Sequence, residues 1–455
     1  MIVDRARAFV IAVAVLPLAV AGGSTARSSS AFCGWTERVN VSTEGEQANG
    51  ETFRGPMSAS GRFVAFSARA TNLVLDDTNG VEDVFVRDRL LEQTARVSVS
   101  SSGEQADGAS YLPLISGDGR FVAFRSVAKN LAPGGGVEGF FVHDLVTRRT
   151  IRVSLGSTGT NPARPETNSR RQVCDRWCVN AVNFAGNAFV VTSDSPRLVH
   201  GDRNHTRDVF VSVRGQTLRV SMGKREPNAP SEGSSISADG NVVAFRSFAS
   251  DLVPGDTNGM PDVFVRDRRR GVTERVNVSS GGVQTNRVTF RGVLSSDGRF
   301  VGFRSRANNL VGGDTNGALD VFVHDRRTQK TTRISVASNG AEASPRGVSG
   351  YVRRVVFMSR PFLSRHGRYA AFTSRAANLV RGDTNGHADV FRHDLETGQT
   401  VRVSVADNGG QSITDSRVAG ISDDGQVVGF ISQASNLVPD DTNRWRDYFV
   451  RVLAC

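Results

Sequence analysis

The chain has 455 residues, 38% of them hydrophobic, enough for one large globular unit whose core needs no metal to hold it together. No stretch keeps a sustained helical period, which excludes a helical bundle. The formal net charge of +11 is almost entirely arginine, with lysine only at Lys129, Lys224 and Lys330, and no aromatic-and-basic module marks a dedicated nucleic-acid binder.

Residues 1–27 read as a secretion signal. Arg5 and Arg7 make the basic start, and Ala8–Val20 is apolar but short and interrupted by Pro17. Small residues at Ala19-Val20-Ala21 and Ser24-Thr25-Ala26 offer cleavage sites, and Phe32 before Cys33 argues against a lipid-anchored cysteine. The expected location is extracellular or in the cell envelope, with membrane contact only through this segment. An uncleaved anchor is the alternative.

From there the chain writes one stretch repeatedly. In Ser295–Val336 a Ser-x-Asp-Gly turn opens the unit, a signal for a hairpin before an apolar run. Phe300-Val301-Gly302-Phe303 is too short for a helix and fits a strand covered on both faces. A polar loop with Asn-Leu-Val and Asp-Thr-Asn-Gly follows, then a strand from Asp320 that ends at Asp325. Thr332–Val336 alternates polar and apolar, as an outer strand does. The segment before the turn, such as Gly292-Val293-Leu294, supplies the fourth strand.

The turn glycines are Gly61, Gly119, Gly186, Gly240, Gly298, Gly367 and Gly425, spaced by 58, 67, 54, 58, 69 and 58 residues. Recurrence of a four-stranded unit at this period predicts an all-β, seven-bladed β-propeller. Its single domain is residues 33–455. The blades fall at about 53–100, 110–155, 179–222, 233–278, 290–336, 359–405 and 417–453. The last copy has no outer strand of its own. The missing strand is predicted at the N-terminus, at residues 36–42, which leaves no open edge. That pairing sets Cys33 beside Cys455 and predicts a ring-locking disulfide, stabilising by about 5 kcal/mol in the chain-entropy account. Cys174 and Cys178 then pair locally; the rival reading, a metal or redox site, lacks a partner His or Cys.

These repeats resemble the TolB-type, WD40-like propeller repeats, carried by Ser116-Gly117-Asp118-Gly119-Arg120-Phe121-Val122-Ala123-Phe124 and its copies over about residues 36–453. The longer Asn-Leu-Val loop and the weak third copy (Phe184-Ala185-Gly186-Asn187) depart from that pattern. The N-terminal domain that TolB itself carries is not matched. The resemblance implies a binding platform and does not name a ligand.

The Asp-x-Asn-x-x-x-Asp spacing of the polar loop is the most suggestive chemistry. It occurs at Asp77/Asn79/Asp83, Asp202/Asn204/Asp208, Asp256/Asn258/Asp262, Asp314/Asn316/Asp320, Asp383/Asn385/Asp389 and Asp441/Asn443/Asp447. Oxygens spaced by two around a glycine suit Ca²⁺. The competing reading is an Asx turn with glycine at positive φ. Arg54, Arg291, Arg360 and Arg417 fall at the entry ends of inner strands in neighbouring blades. There they could line an arc of the channel mouth and take a carboxylate or phosphate, unless they pair between blades. Two insertions, Thr160–Cys178 and Ala343–Pro361, open on the same face. His143, His324 and His393 share one repeat position and form no site, and no nucleophile elbow, phosphate loop or paired-carboxylate spacing is present. The expected function is an exported, monomeric, non-enzymatic binding or scaffold module for a protein or anionic envelope polymer, without a specific nucleic acid. The alternative is a hydrolase or lyase of cell-envelope polysaccharide.

Overall fold

The computed structural model describes residues 34–53, 55–133, 138–153, 177–213, 215–344 and 358–453. Residues 33–455 group as one compact unit. Among the described residues every regular element is a β-strand, and these form seven four-stranded antiparallel sheets. Each sheet runs in chain order from an inner to an outer strand, with one exception. In the seventh, the strand Trp35–Arg38 lies outermost, beside Asp447–Val452, with Trp35 opposite Val452 and Arg38 opposite Phe449. The N-terminal strand therefore completes the last blade of a seven-bladed propeller, as the truncated seventh copy requires.

The local reasons are visible in blade five. Its third strand, Asp320–Asp325, is buried along its whole length, because the Val and Phe side chains of both faces meet neighbouring sheets. Phe322 stands opposite Phe303 of the second strand, and their rings stack at 5.8 Å. The same pair recurs in five other blades, as at Phe66–Phe85 and Phe430–Phe449. Between blades, Val321 and Val323 of blade five pack on Ala370, Phe372 and Phe391 of blade six. The last such seam joins Val39, Val64 and Phe66 to Tyr448 and Val450, so the N-terminal segment is part of the core where the ring closes.

The turn glycines serve two purposes. Gly367 has φ +68°, which favours glycine, and a Cβ there would lie 2.3 Å from the Phe300 ring of the preceding blade. Gly425 has the same relation to Tyr369, at 2.1 Å.

Outer strands are shorter than the alternation suggests. In blade five the ladder runs over Lys330–Arg333, not to Val336. Beyond Arg333 one backbone bond remains, Ile334 N to Val321 O at 2.9 Å, and a side chain supplies its return partner: Val321 N donates to Ser335 Oγ, and Ser335 Oγ donates to Asp320 Oδ1 at 2.5 Å. Blade four does the same with an amide, Val263 N to Asn277 Oδ1 and Asn277 Nδ2 to Asp262 Oδ1. The third inner strand begins at Trp177, two residues before the expected start. The signal segment, Cys33, Cys174, Cys455 and the side chain of Cys178 lie outside the described residues, so both expected disulfides do too.

Candidate functional site

Second strands run from the Ser-x-Asp-Gly turns to the Asp-x-Asn loops, so the two sets of connections sit at opposite ends of the blades. Six residues of strand separate them by about 20 Å.

At the loop end, each motif asparagine closes an Asx turn. Asn385 Oδ1 accepts from His387 N, while Nδ2 donates to Asp389 Oδ2 at 2.8 Å and to the Ser412 carbonyl at 2.9 Å. Asn79, Asn204 and Asn443 repeat this with Val81, Thr206 and Trp445. Asn258 Oδ1 accepts from Met260 N at 2.9 Å, and its Nδ2 donates to Asp262 Oδ2 at 3.1 Å and to the Thr285 carbonyl at 3.3 Å. Asn316 Oδ1 accepts from Ala318 N at 2.8 Å, and its Nδ2 donates to the Ala343 carbonyl at 3.2 Å. The asparagine oxygens expected to face Ca²⁺, those of Asn258 and Asn316 included, are therefore turned onto the loop backbone. Each of them accepts one backbone N–H, as an Asx turn does.

In five of these motifs the two aspartates then converge on one guanidinium from the end of the outer strand. Arg402 Nη1 lies 3.3 Å from Asp383 and 3.7 Å from Asp389. Arg219 lies 3.3 Å from Asp202 and 3.0 Å from Asp208, and Arg275 lies 3.0 Å from Asp256 and 3.4 Å from Asp262. Arg96 reaches Asp77 and Asp83, and Arg38 reaches Asp441 and Asp447, in the same way, while Arg333 lies 3.3 Å from Asp314. A cation thus already stands between the carboxylates, and it belongs to the chain. Burial and the second carboxylate push Asp314, Asp383 and Asp441 up to about 6. Among the described residues no group of three or more His, Cys, Asp or Glu is gathered as a metal ion requires.

Sequence reasoning passed over these arginines. The signal was present: every copy carries Arg just before Val or Ile in its outer strand, at Arg38, Arg96, Arg152, Arg219, Arg275, Arg333 and Arg402. The pairing was hidden because each arginine and its carboxylates are 11 or more residues apart.

Of the four expected mouth arginines, Arg54 lies outside the described residues. Arg291 donates from Nε to Glu232 Oε2 of blade four at 2.9 Å, so it makes a pair between blades. The Arg360 guanidinium lies 5.3 Å from the centre of the Phe362 ring. Arg417 sits on the inner strand of blade seven, opposite Ile431. The three repeat-position histidines are buried between blades. His324 Nδ1 is 2.9 Å from Thr331 Oγ1, and His143 and His393 are placed alike on Thr150 and Thr400. Burial pushes His324 and His393 down to about 4.

At the other end, the turns join into a belt around the channel. Ala59 N donates to Gly117 O, Asp118 N to Phe184 O, Ala238 N to Ser296 O, Asp297 N to Arg365 O, Arg365 N to Asp423 O and Asp423 N to Ala59 O, at 2.6–3.2 Å. Asn183 Nδ2 donates to Ala238 O at 3.3 Å and links blade three to blade four. Every neighbouring pair of blades is therefore tied. The second residue of each turn belongs to this belt, and here the repeat loses its uniformity. Blades one to four have Ala59, Gly117, Phe184 and Ala238; blades five to seven have Ser296, Arg365 and Asp423. Ser296 Oγ donates to Asp423 Oδ1 at 2.7 Å, linking blade five to blade seven past blade six. Arg365 Nη1 is 4.0 Å from Asp423 Oδ2, and His366 Nδ1 is 3.1 Å from Asp297 Oδ2. Burial raises the Asp423 carboxyl.

No known protein family matches the chain, and no curated protein does. Among solved structures it is similar to a putative TolB from Agrobacterium tumefaciens, at 13% identity over 80% of this chain and 95% of that one, with a TM-score of 0.39. Oligogalacturonate lyase from Vibrio parahaemolyticus shares 11% identity over 92% and 97% of the two chains, with a TM-score of 0.49. The β-propeller domain of the Trilobed protease from Pyrococcus furiosus shares 11% over 88% and 95%, with a TM-score of 0.47. These likenesses are weak and carry no activity over to this chain.

Proposed function

We propose that the chain is an exported, non-enzymatic propeller that binds an acidic protein or anionic envelope polymer on its Asp-x-Asn face. One observation carries this reading: the two long connections leave from the same face. Outer strands end there, as Arg333 on Asp314 shows for the strand that precedes residues 345–357. Residues 154–176 follow Arg152, which packs on Gly139 at that same end of blade two. Together these two segments hold seven arginines against two acidic residues, a large share of the net charge in a small part of the sequence. Arginine is suited to carboxylate and phosphate groups because its fork donates to two oxygens at once.

The test is retention on immobilised polyglutamate and on a teichoic-acid-type polyphosphate, across a salt gradient. The Arg346→Glu/Arg353→Glu/Arg354→Glu variant should bind about tenfold or more weakly. A variant with the same change in charge at the exposed opposite-end turns, Arg269→Glu/Arg270→Glu/Arg327→Glu, should retain binding. Equal loss in both variants would reduce the effect to overall charge and remove the proposed face. Release of shortened polymer would replace binding by catalysis.

A further inference from the structure

The belt of turns at the opposite end varies from blade to blade in a way the reading above does not use. Repetition gives the background against which it stands out. A turn residue that only closes the channel needs no special side chain, and Ala59, Gly117 and Ala238 show that small ones suffice. In three consecutive blades the same position becomes a hydroxyl, a guanidinium and a carboxylate, with the His366–Asp297 pair beside them.

The unused bonding capacity of this group defines what it would hold. Asp423 Oδ1 is taken by Ser296, while Oδ2 faces Arg365 Nη1 across 4.0 Å. That gap is too long for a hydrogen bond, but one oxygen placed between the two atoms can accept from the guanidinium and donate to the carboxylate. A group bridging the two must carry both a lone pair and a proton, as the hydroxyl of a ligand does. An anionic ligand would meet the Asp423 carboxylate, and a cationic one the Arg365 guanidinium; a neutral polyol meets both favourably. The Arg365 side chain is 52% exposed and His366 74%, so both are open to a ligand from solvent. The other side of the belt is apolar. Phe184 of blade three is 37% exposed, and its ring lies over Gly117, where a Cβ would come within 2.3 Å of it. A sugar has this same division, hydroxyls along its edge and C–H groups on its face.

We propose that the turn end of the channel binds a neutral sugar, with Asp423, Arg365, Ser296 and His366 on its hydroxyls and Phe184 facing its apolar side.

The experiment is saturation-transfer NMR and calorimetry on the full chain with glucose, galactose, mannose, N-acetylglucosamine, cellobiose, lactose and chitobiose. At least one should bind with Kd in the range of about 10 µM to 1 mM. Arg365→Ala and Asp423→Asn should each weaken it tenfold or more with little change in melting temperature. Asn keeps an acceptor for Ser296, and Arg365 is exposed, so neither change disturbs the belt's backbone bonds. Retention on anionic polymer should be unchanged in both, which separates this site from the opposite face. Absence of binding to every sugar at about 20 mM, or undiminished binding to the Arg365→Ala/Asp423→Asn double variant, would overturn the proposal.

Discussion

Replacing Arg402 by Met tests the claim that the chain supplies its own cation to each Asp-x-Asn loop. Arg402 is 10% exposed, and it sits against Asp383 and Asp389, which are 5% and 0% exposed. It also donates to Gln411 Oε1 at 2.7 Å. Met preserves much of the packed length and removes the charge. Breaking a buried pair by removing one partner costs about 3–5 kcal/mol, because the charge left behind stays out of water. Here the carboxylates have an escape. Asp383 is already pushed up to about 6 with Arg402 present, and without it the carboxyl rises further. A carboxyl whose folded pKa lies above its unfolded value stabilises the fold below about pH 4, and that contribution is lost as pH climbs through the folded value. The variant should therefore be destabilised by about 3 kcal/mol at pH 8 and only about 1 kcal/mol at pH 5. Urea denaturation of wild type and variant across this range measures the difference. A loss below about 0.5 kcal/mol, or one that does not change with pH, would refute the buried-pair account.

Four further outcomes follow from the same geometry. Millimolar Ca²⁺ should leave the wild-type melting temperature unchanged, since a guanidinium and an asparagine amide already fill the carboxylates; a rise of several degrees, reversed by chelator, would restore the metal reading. Gly367→Ala should cost about 2–4 kcal/mol, from positive φ and from contact with the Phe300 ring, seen as a lower melting temperature. His324 and His393, pushed down to about 4, contribute stability that grows as pH rises toward 6.5 and so oppose the slope of Asp314, Asp383 and Asp441. Replacing both histidines by Arg, the residue at this position in blades one and four, should leave stability falling from pH 4 to 7; an unchanged profile would contradict the assignment. Finally, the protein recovered from an oxidising compartment should show no reactive thiol under denaturation until reductant is added, if Cys33 pairs with Cys455 and Cys174 with Cys178.

The propeller was legible because repetition makes the sequence its own control. Seven Ser-x-Asp-Gly turns at a near-constant period, and Asp-Val-Phe-Val strands with apolar residues on both faces, admit few structures besides stacked blades. The ring closure was legible as well, since a last copy without an outer strand and a first segment without a sheet answer each other. The Asp-x-Asn loops showed their oxygens but not their partners. Asn258 and Asn316 read as turn residues first and as Ca²⁺ ligands second, and the turn itself becomes visible only where Met260 N and Ala318 N meet their side-chain oxygens. Asp383 and Arg402 are 19 residues apart, and only the return of the outer strand past the loop sets them 3.3 Å apart.

Periodicity along the chain determines which residues face a neighbour, because the pleat of a strand alternates and the repeat fixes where each strand begins. It does not determine which blades meet across the channel. Ser296 and Asp423 are 127 residues and two blades apart, and each is an unremarked second residue of an ordinary turn. They come within 2.7 Å because seven twisted sheets arranged in a circle bring their inner turns together at one end, a convergence that only the closed ring produces.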